Sequence, residues 1–187
     1  MRVIKRDLTE VDVEFDEITK KIKTFANKDP KLNIDSGYLA MEVISLIYDG
    51  ITTSELDEFT ASMAANMAIY NTDYSELAGR LIINNHTKNT IESFTESMNL
   101  LSNIISSELL LISKENEKEI NDIIDYSRDY LVSYFGFNTL QKSYLLRNKY
   151  KVIERPQHLY MRVSIAIHGT DFVKVKETYD LLSLNYF

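Results

Sequence analysis

Residues 48–70 read YDGITTSELDEFTASMAANMAIY. Gly50 is the usual C-terminal stop for a helix before it. Thr52 and Glu55, three apart, make a capping box that starts another helix. Leu56, Phe59, Met63, Met67 and Tyr70 then recur at helical spacing. Two helices joined by so short a connection must pack closely, so the fold is decided here as mainly α.

The pattern extends upstream. A helix opens on an Asp35 cap and runs through Leu39, Val43, Leu46 and Ile47 to Asp49 and Gly50. Before it, Phe15, Ile18, Ile22 and Phe25 form an amphipathic stripe, ended by residues 27–30. Ahead of that stripe, RVIKR, DLT and EVDVEF alternate as a β-hairpin, with Leu8 where a two-residue turn prefers glycine. Downstream, Asp73 and Glu76 suggest a second capping box, followed by the stripe Tyr74, Leu77, Ala78 and Leu81. The class is therefore mainly α (α+β): a four-helix bundle capped by a small β-hairpin or sheet, spanning residues 1–92.

A second helical domain follows over residues 93–187. Helices are expected near 94–101, 107–120, 137–142, 156–168 and 172–183, with Pro156 in a first turn. A second hairpin is expected over 143–154, and the polar stretch 102–119 includes a surface connection. Only five Gly and two Pro punctuate the chain.

Composition narrows the chemistry. The 187 residues, 44% hydrophobic, suffice for a real core. No run of about 18 apolar residues and no signal-type h-region is present, so no membrane association and a cytoplasmic location are expected. There is no cysteine, so thiol nucleophiles and thiolate metal sites are excluded from this chain. A net charge of −7 argues against a nucleic-acid groove. Residues 1–30 are nevertheless balanced, with Arg2, Lys5, Arg6, Lys20, Lys21, Lys23 and Lys28 against seven acidic groups, and are the better place for a small anion.

Four features bear on binding. Projecting the stripe of the fourth helix forward reaches Asn84, Asn85 and Lys88, and an ammonium on an inward phase calls for a partner anion. The simpler reading, favoured by the residues alone, is a helix that outruns its core. Thr53 and Asp57 sit one turn apart at a helix N-terminus, where a hydroxyl and a carboxylate suit a ribose, or merely cap the helix. Lys5 and Arg6 leave opposite faces of the first strand, so only one points with Val3 toward the bundle; edge lysines also simply deter aggregation. No glycine-rich phosphate loop occurs, and His86, His158 and His168 are too scattered for a metal site.

The strings VIKRD, FDEI, YDGITTSELD and DYSELAGR, with the Lys88 helix, resemble in order and spacing the ATP-cone of ribonucleotide reductases. IDYSRDYLVSYFGFNTLQKSYLLR, ERPQHLYMRVSIAIHG and ETYDLLSLNYF resemble the helical region before the catalytic barrel of class I large subunits. The resemblance implies ATP as activator and dATP as inhibitor, carried with Mg2+. It implies that Lys5, Arg6 and Lys88 face phosphates, Thr53 and Asp57 the nucleoside, and residues 11–17, with Val11, Phe15, Asp16 and Glu17, the base. Departures are Leu8 for the turn glycine, Val11 for an acidic residue and Glu17 for lysine.

The implied reaction reduces ribonucleoside diphosphates with active-site cysteines and a radical from a small subunit. The remainder of the large subunit, that small subunit and further copies of the chain (a homo-oligomer) are the implied partners. With no cysteine the chain is expected to be inactive alone, as a truncated or split large subunit. Alternatives are a free-standing ATP-cone regulatory protein, an anaerobic reductase, and a cone-bearing repressor, the last disfavoured because its zinc ribbon needs cysteines.

Overall fold

Alternation begins the fold. In β1 (Arg2–Ile4) Val3 is buried while Arg2 is exposed, and Val3 pairs antiparallel with Val11 of β2 (Glu10–Asp12). On its other edge β1 pairs in parallel with β3 (Ile51–Thr52), Val3 opposite Ile51, giving the order β2-β1-β3. β3 is absent from the sequence reading because two residues carry no periodicity. The computed structural model describes residues 1–186, so Phe187, the last residue of the NYF string, lies outside the described residues. The chain forms two units: Met1–Asn85 with Ser133–Phe135, and His86–Val132 with the chain from Gly136 onward. The sequence pattern places the boundary near residue 92, inside or just after a long helix; the division into units falls after Asn85, within the helix Asp73–Asn89.

The first unit holds four helices. α1 (Phe15–Ala26) buries Ile18, Ile22 and Phe25. α2 (Ser36–Leu46) starts where Asp35 accepts from the Tyr38 N–H at 2.9 Å, and packs on α1 and on α3 (Thr53–Met67). α2 stops at Leu46 rather than at Gly50: Ile47 turns extended with its side chain buried. Gly50, at φ +83°, instead shapes the entry to β3, its N–H donating to the Arg2 carbonyl. The Thr52–Glu55 capping box is formed, with Glu55 N–H donating to Thr52 Oγ1 at 3.1 Å and Thr52 N–H to Glu55 Oε2 at 2.9 Å.

Two expectations are corrected here. The buried face of α3 is Asp57, Thr60, Ala61, Ala64 and Met67, because its small residues allow close approach; Tyr70 is exposed beyond the helix end. In α4 (Asp73–Asn89) Asp73 is already helical and makes no capping box with Glu76. Its carboxylate accepts from the Asn33 N–H at 2.7 Å, and Glu76 pairs with Arg80 at 3.2 Å. Tyr74, Leu77, Ala78 and Leu81 are buried as their spacing requires. Arg80, itself buried, donates to the carbonyls of Phe25, Lys28 and Pro30 at 2.8–3.1 Å, holding the end of α1.

The second unit contains α5 (Phe94–Leu100), α6 (Ser107–Glu115), α7 (Glu117–Ile123), a 3₁₀ turn (Tyr126–Leu131), α8 (Tyr134–Ser143) from Gly136 onward, the hairpin β4 (Arg147–Asn148) and β5 (Lys151–Val152), α9 (Pro156–His168) and α10 (Phe172–Ser183). The helix expected over 107–120 is two helices, broken at Asn116, whose side chain donates back to the Ile112 carbonyl at 3.0 Å. Phe94, Met98, Ile120, Met161, Val175 and Tyr179 centre the core, with α9 packed on α10.

Leu8 has φ +68° and an exposed side chain, so it carries left-handed strain with no burial to offset it. Leu8→Gly should stabilise the first unit by about 1 kcal/mol in chemical unfolding. A loss of stability would show that the leucine side chain contributes more than its strain costs.

Candidate functional site

The first unit brings charged groups together around Asp57. Its α3 position faces inward, and the side chain is 8% exposed. Such burial requires cations, since removing one partner of a buried pair costs about 3–5 kcal/mol. Arg6 Nη2 donates to Asp57 Oδ2 at 3.1 Å, and the Lys21 ammonium pairs with Asp57 Oδ1. Arg6 also donates to Asn85 Oδ1 at 2.6 Å and to Thr53 Oγ1 at 3.5 Å. Ser54 Oγ donates to the same Asn85 oxygen at 3.2 Å, and Asn85 Nδ2 donates to Glu58 Oε1 at 3.3 Å.

Each side chain arrives by a local rule. β1 ends at Ile4, so the turn breaks strand alternation and Arg6, rather than Lys5, is swung onto α3. Thr53 and Ser54 occupy the first turn of α3, where backbone N–H groups accumulate. Asn85 continues the buried phase of α4, as the forward projection requires. Desolvation raises the Glu58 carboxyl above its usual range, with the Glu55 charge adding to it, the Asn85 hydrogen bond opposing, and the Asp57 charge adding further. The Arg6 and Lys21 side chains remain 30% and 26% exposed, so this cationic edge meets solvent. Guanidinium, ammonium and hydroxyl donors can hold an anion, and the carboxylate can accept from a hydroxyl.

The other candidate residues drawn from the sequence lie elsewhere. Lys5 is exposed, its N–H donating to the Thr9 carbonyl. Val11 is half-buried in β2 opposite Val3. Phe15, Asp16 and Glu17 are exposed on the first turn of α1, Glu17 pairing with Lys20 at 3.1 Å. Lys88 is exposed and belongs to the second unit. Lys21, Ser54 and Glu58 join the cluster without having stood out in the sequence. A signal for Lys21 is present there: it is three residues after Ile18 and four before Phe25, an ammonium on the buried side of α1.

The second unit has its own buried polar cluster, built on the ERPQH string. Glu154, fully buried, accepts from Arg162 at 2.5 and 3.2 Å and from the Leu146 N–H at 2.8 Å. Arg155 donates to the Thr87 carbonyl and to Thr90. Asp129 accepts the Gln157 N–H at 3.1 Å, and Tyr179 Oη donates to Gln157 Oε1 at 2.7 Å. His158 Nδ1 accepts the Arg155 N–H at 3.3 Å, so Nε2 carries the proton toward the Glu92 carbonyl at 3.1 Å. These groups hydrogen-bond one another inside a core, although Asp129 Oδ2 and Gln157 Nε2 are buried there without a hydrogen-bond partner.

Comparison with known proteins bears on both units. Residues 130–187 match the family model described as the ribonucleotide reductase all-alpha domain. Along its whole length the chain is 40% identical to the ribonucleoside-diphosphate reductase large subunit of Dictyostelium discoideum, of which it covers 23%. It is 42% identical to large chain 2 of Saccharomyces cerevisiae, again covering 23%, and 41% identical to the Variola virus large subunit, covering 26%. The chain thus spans about a quarter of the length of these curated relatives.

The buried groups of the second unit predict a pH dependence. Desolvation lowers His158 to about 3 and His86 to about 4, and raises Asp129 to about 6. Below about 6.5 the unfolded imidazoles take up protons that the buried ones do not, which favours the unfolded chain, so stability rises with pH from about 4 toward about 6.5 as that penalty is relieved. Asp129 acts oppositely, its contribution falling between its unfolded value of 3.8 and about 6. Two protons against one leave a net rise, on the order of 1.4 kcal/mol per pH unit between roughly pH 4 and 6. Urea unfolding should show that rise, and Asp129→Asn should steepen it. Stability flat or falling over that interval would contradict the assignment of two neutral buried histidines.

Proposed function

Because this chain belongs to the ribonucleotide reductase large-subunit family, as a counterpart of the N-terminal part of its members, we propose that its first unit is a nucleotide-sensing element taking ATP and dATP as allosteric effectors. Within the full enzyme that element regulates conversion of ribonucleoside diphosphates to deoxyribonucleoside diphosphates. The chemistry is carried by the remainder of the large subunit and a radical-generating small subunit. The chain itself has no cysteine to supply thiol chemistry, and on its own it should show no reductase turnover.

One observation carries the reading: Arg6 is held at once by Asp57, Thr53 and Asn85 at a partly exposed cationic edge. A triphosphate suits the guanidinium, which is planar and offers paired N–H donors. The ribose of the same nucleotide suits Thr53 and Asp57, an alcohol and an acceptor one helical turn apart. Mg2+ would travel on the phosphates. On the same reading Lys5 serves the phosphates, and the residue 11–17 segment serves the base. Copies of the chain self-associate in response to dATP.

ATP and dATP differ by one hydroxyl, so an effector response must come from a contact that senses it. Calorimetric titration of the chain should show both nucleotides binding in the micromolar range or weaker. Arg6→Ala should weaken both together, by roughly 10- to 150-fold for loss of a charge-assisted bond. Asp57→Asn should change the ratio of the two affinities instead. Absence of heat with either nucleotide at millimolar concentration would overturn the proposal.

A further inference from the structure

The two oxygens of Asp57 are gripped by different cations from different elements. Arg6, in the turn after β1, takes Oδ2 at 3.1 Å, and Lys21, on α1, takes Oδ1. Arg6 divides its guanidinium among Asp57, Asn85 and Thr53. It sits in a short connection between β1 and β2 and has a partly open side chain. Lys21 is placed more rigidly. It lies between Ile18 and Phe25 on α1, beside the fully buried Ile22, and the far end of that helix is held by Arg80.

The chemistry of the two cations differs in the same direction. A guanidinium matches phosphate oxygens in a planar, bidentate manner, whereas an ammonium is a compact point charge. An anion arriving at the cationic edge competes with Asp57 for Arg6. Were Arg6 the sole partner, that competition would strip a buried carboxylate of its countercharge, and such a group neutralises or swings out. It would then no longer be a fixed acceptor for a sugar hydroxyl.

We propose that Lys21 is the positioning residue for Asp57, keeping the carboxylate charged and aimed while Arg6 is drawn to an anionic ligand. The proposal rests on the nucleotide reading above and adds a division of labour to it. Arg6 exchanges partners on binding, and Lys21 preserves discrimination between a ribose and a deoxyribose without meeting the phosphates.

The test is calorimetric titration of the full chain and its Lys21→Met, Lys21→Gln and Lys21→Arg variants with ATP, dATP and inorganic tripolyphosphate. Lys21→Met should move the ratio of ATP to dATP dissociation constants toward one by roughly 5-fold or more, the lower range of a coupling between sites. Tripolyphosphate binding should stay as in the wild type, and Lys21→Arg should restore the ratio. If Lys21→Met does not fold, Lys21→Gln decides by the same criteria. An unchanged ratio overturns the proposal, as does a loss of tripolyphosphate binding parallel to both nucleotides, which would make Lys21 a phosphate ligand. A wild type that binds both nucleotides equally overturns the role of Lys21 and leaves nucleotide binding standing. A wild type that binds neither removes the nucleotide reading and this inference with it.

Discussion

A carboxylate on the inward face of α3 is the constraint from which the first unit follows. Asp57 is 6% exposed, and an ion so placed is tolerated only if cations and donors are brought to it. One cation comes from the turn after β1 and the other from α1, while Asn85 of α4 ties the Arg6 guanidinium from the far side. Sheet, α1, α3 and α4 are therefore joined by one polar knot as well as by apolar burial. Arg80 reinforces it by holding the end of α1 to α4.

The second unit solves a similar problem without an open edge. Its charged and polar groups are closed on one another: Glu154 on Arg162, Asp129 on the Gln157 backbone, Tyr179 between Gln157 and Asp125. His158 is neutral there because burial removes the hydration its charged form needs. Only Asp129 Oδ2 and Gln157 Nε2 of these groups are buried without a hydrogen-bond partner, and a network buried in this way specifies packing rather than ligand recognition. The contrast with the partly exposed Arg6 and Lys21 is what separates a candidate site from a polar core.

Much of this is legible in the residues. Amphipathic spacing locates α1, α4, α9 and α10, and the Thr52–Glu55 box locates the start of α3, because those signals are local. The forward projection of α4 finds Asn85 for the right reason. It also singles out Lys88, which is exposed, since a phase argument cannot tell where a core ends. The buried face of α3 departs from its large apolar residues because the alanines are what permit close packing. Lys21 lies on the buried phase of α1, a signal that local spacing carries, but that phase alone does not name a partner 36 positions away. β3 and the break at Asn116 depend on pairing and side-chain back-bonding that single-segment periodicity does not register.

The Arg6–Asp57–Asn85 cluster is, on this account, where the chain meets a nucleotide. The most direct measurement is backbone and side-chain NMR of the labelled chain during addition of ATP. The account predicts that the earliest and largest shifts fall on the Arg6 guanidinium, the Lys21 ammonium, and the amides of Thr53, Ser54 and Asp57. Groups of the buried ERPQH cluster should stay in place. Shifts that bypass Arg6 and Thr53, or spread evenly over the second unit, would contradict it.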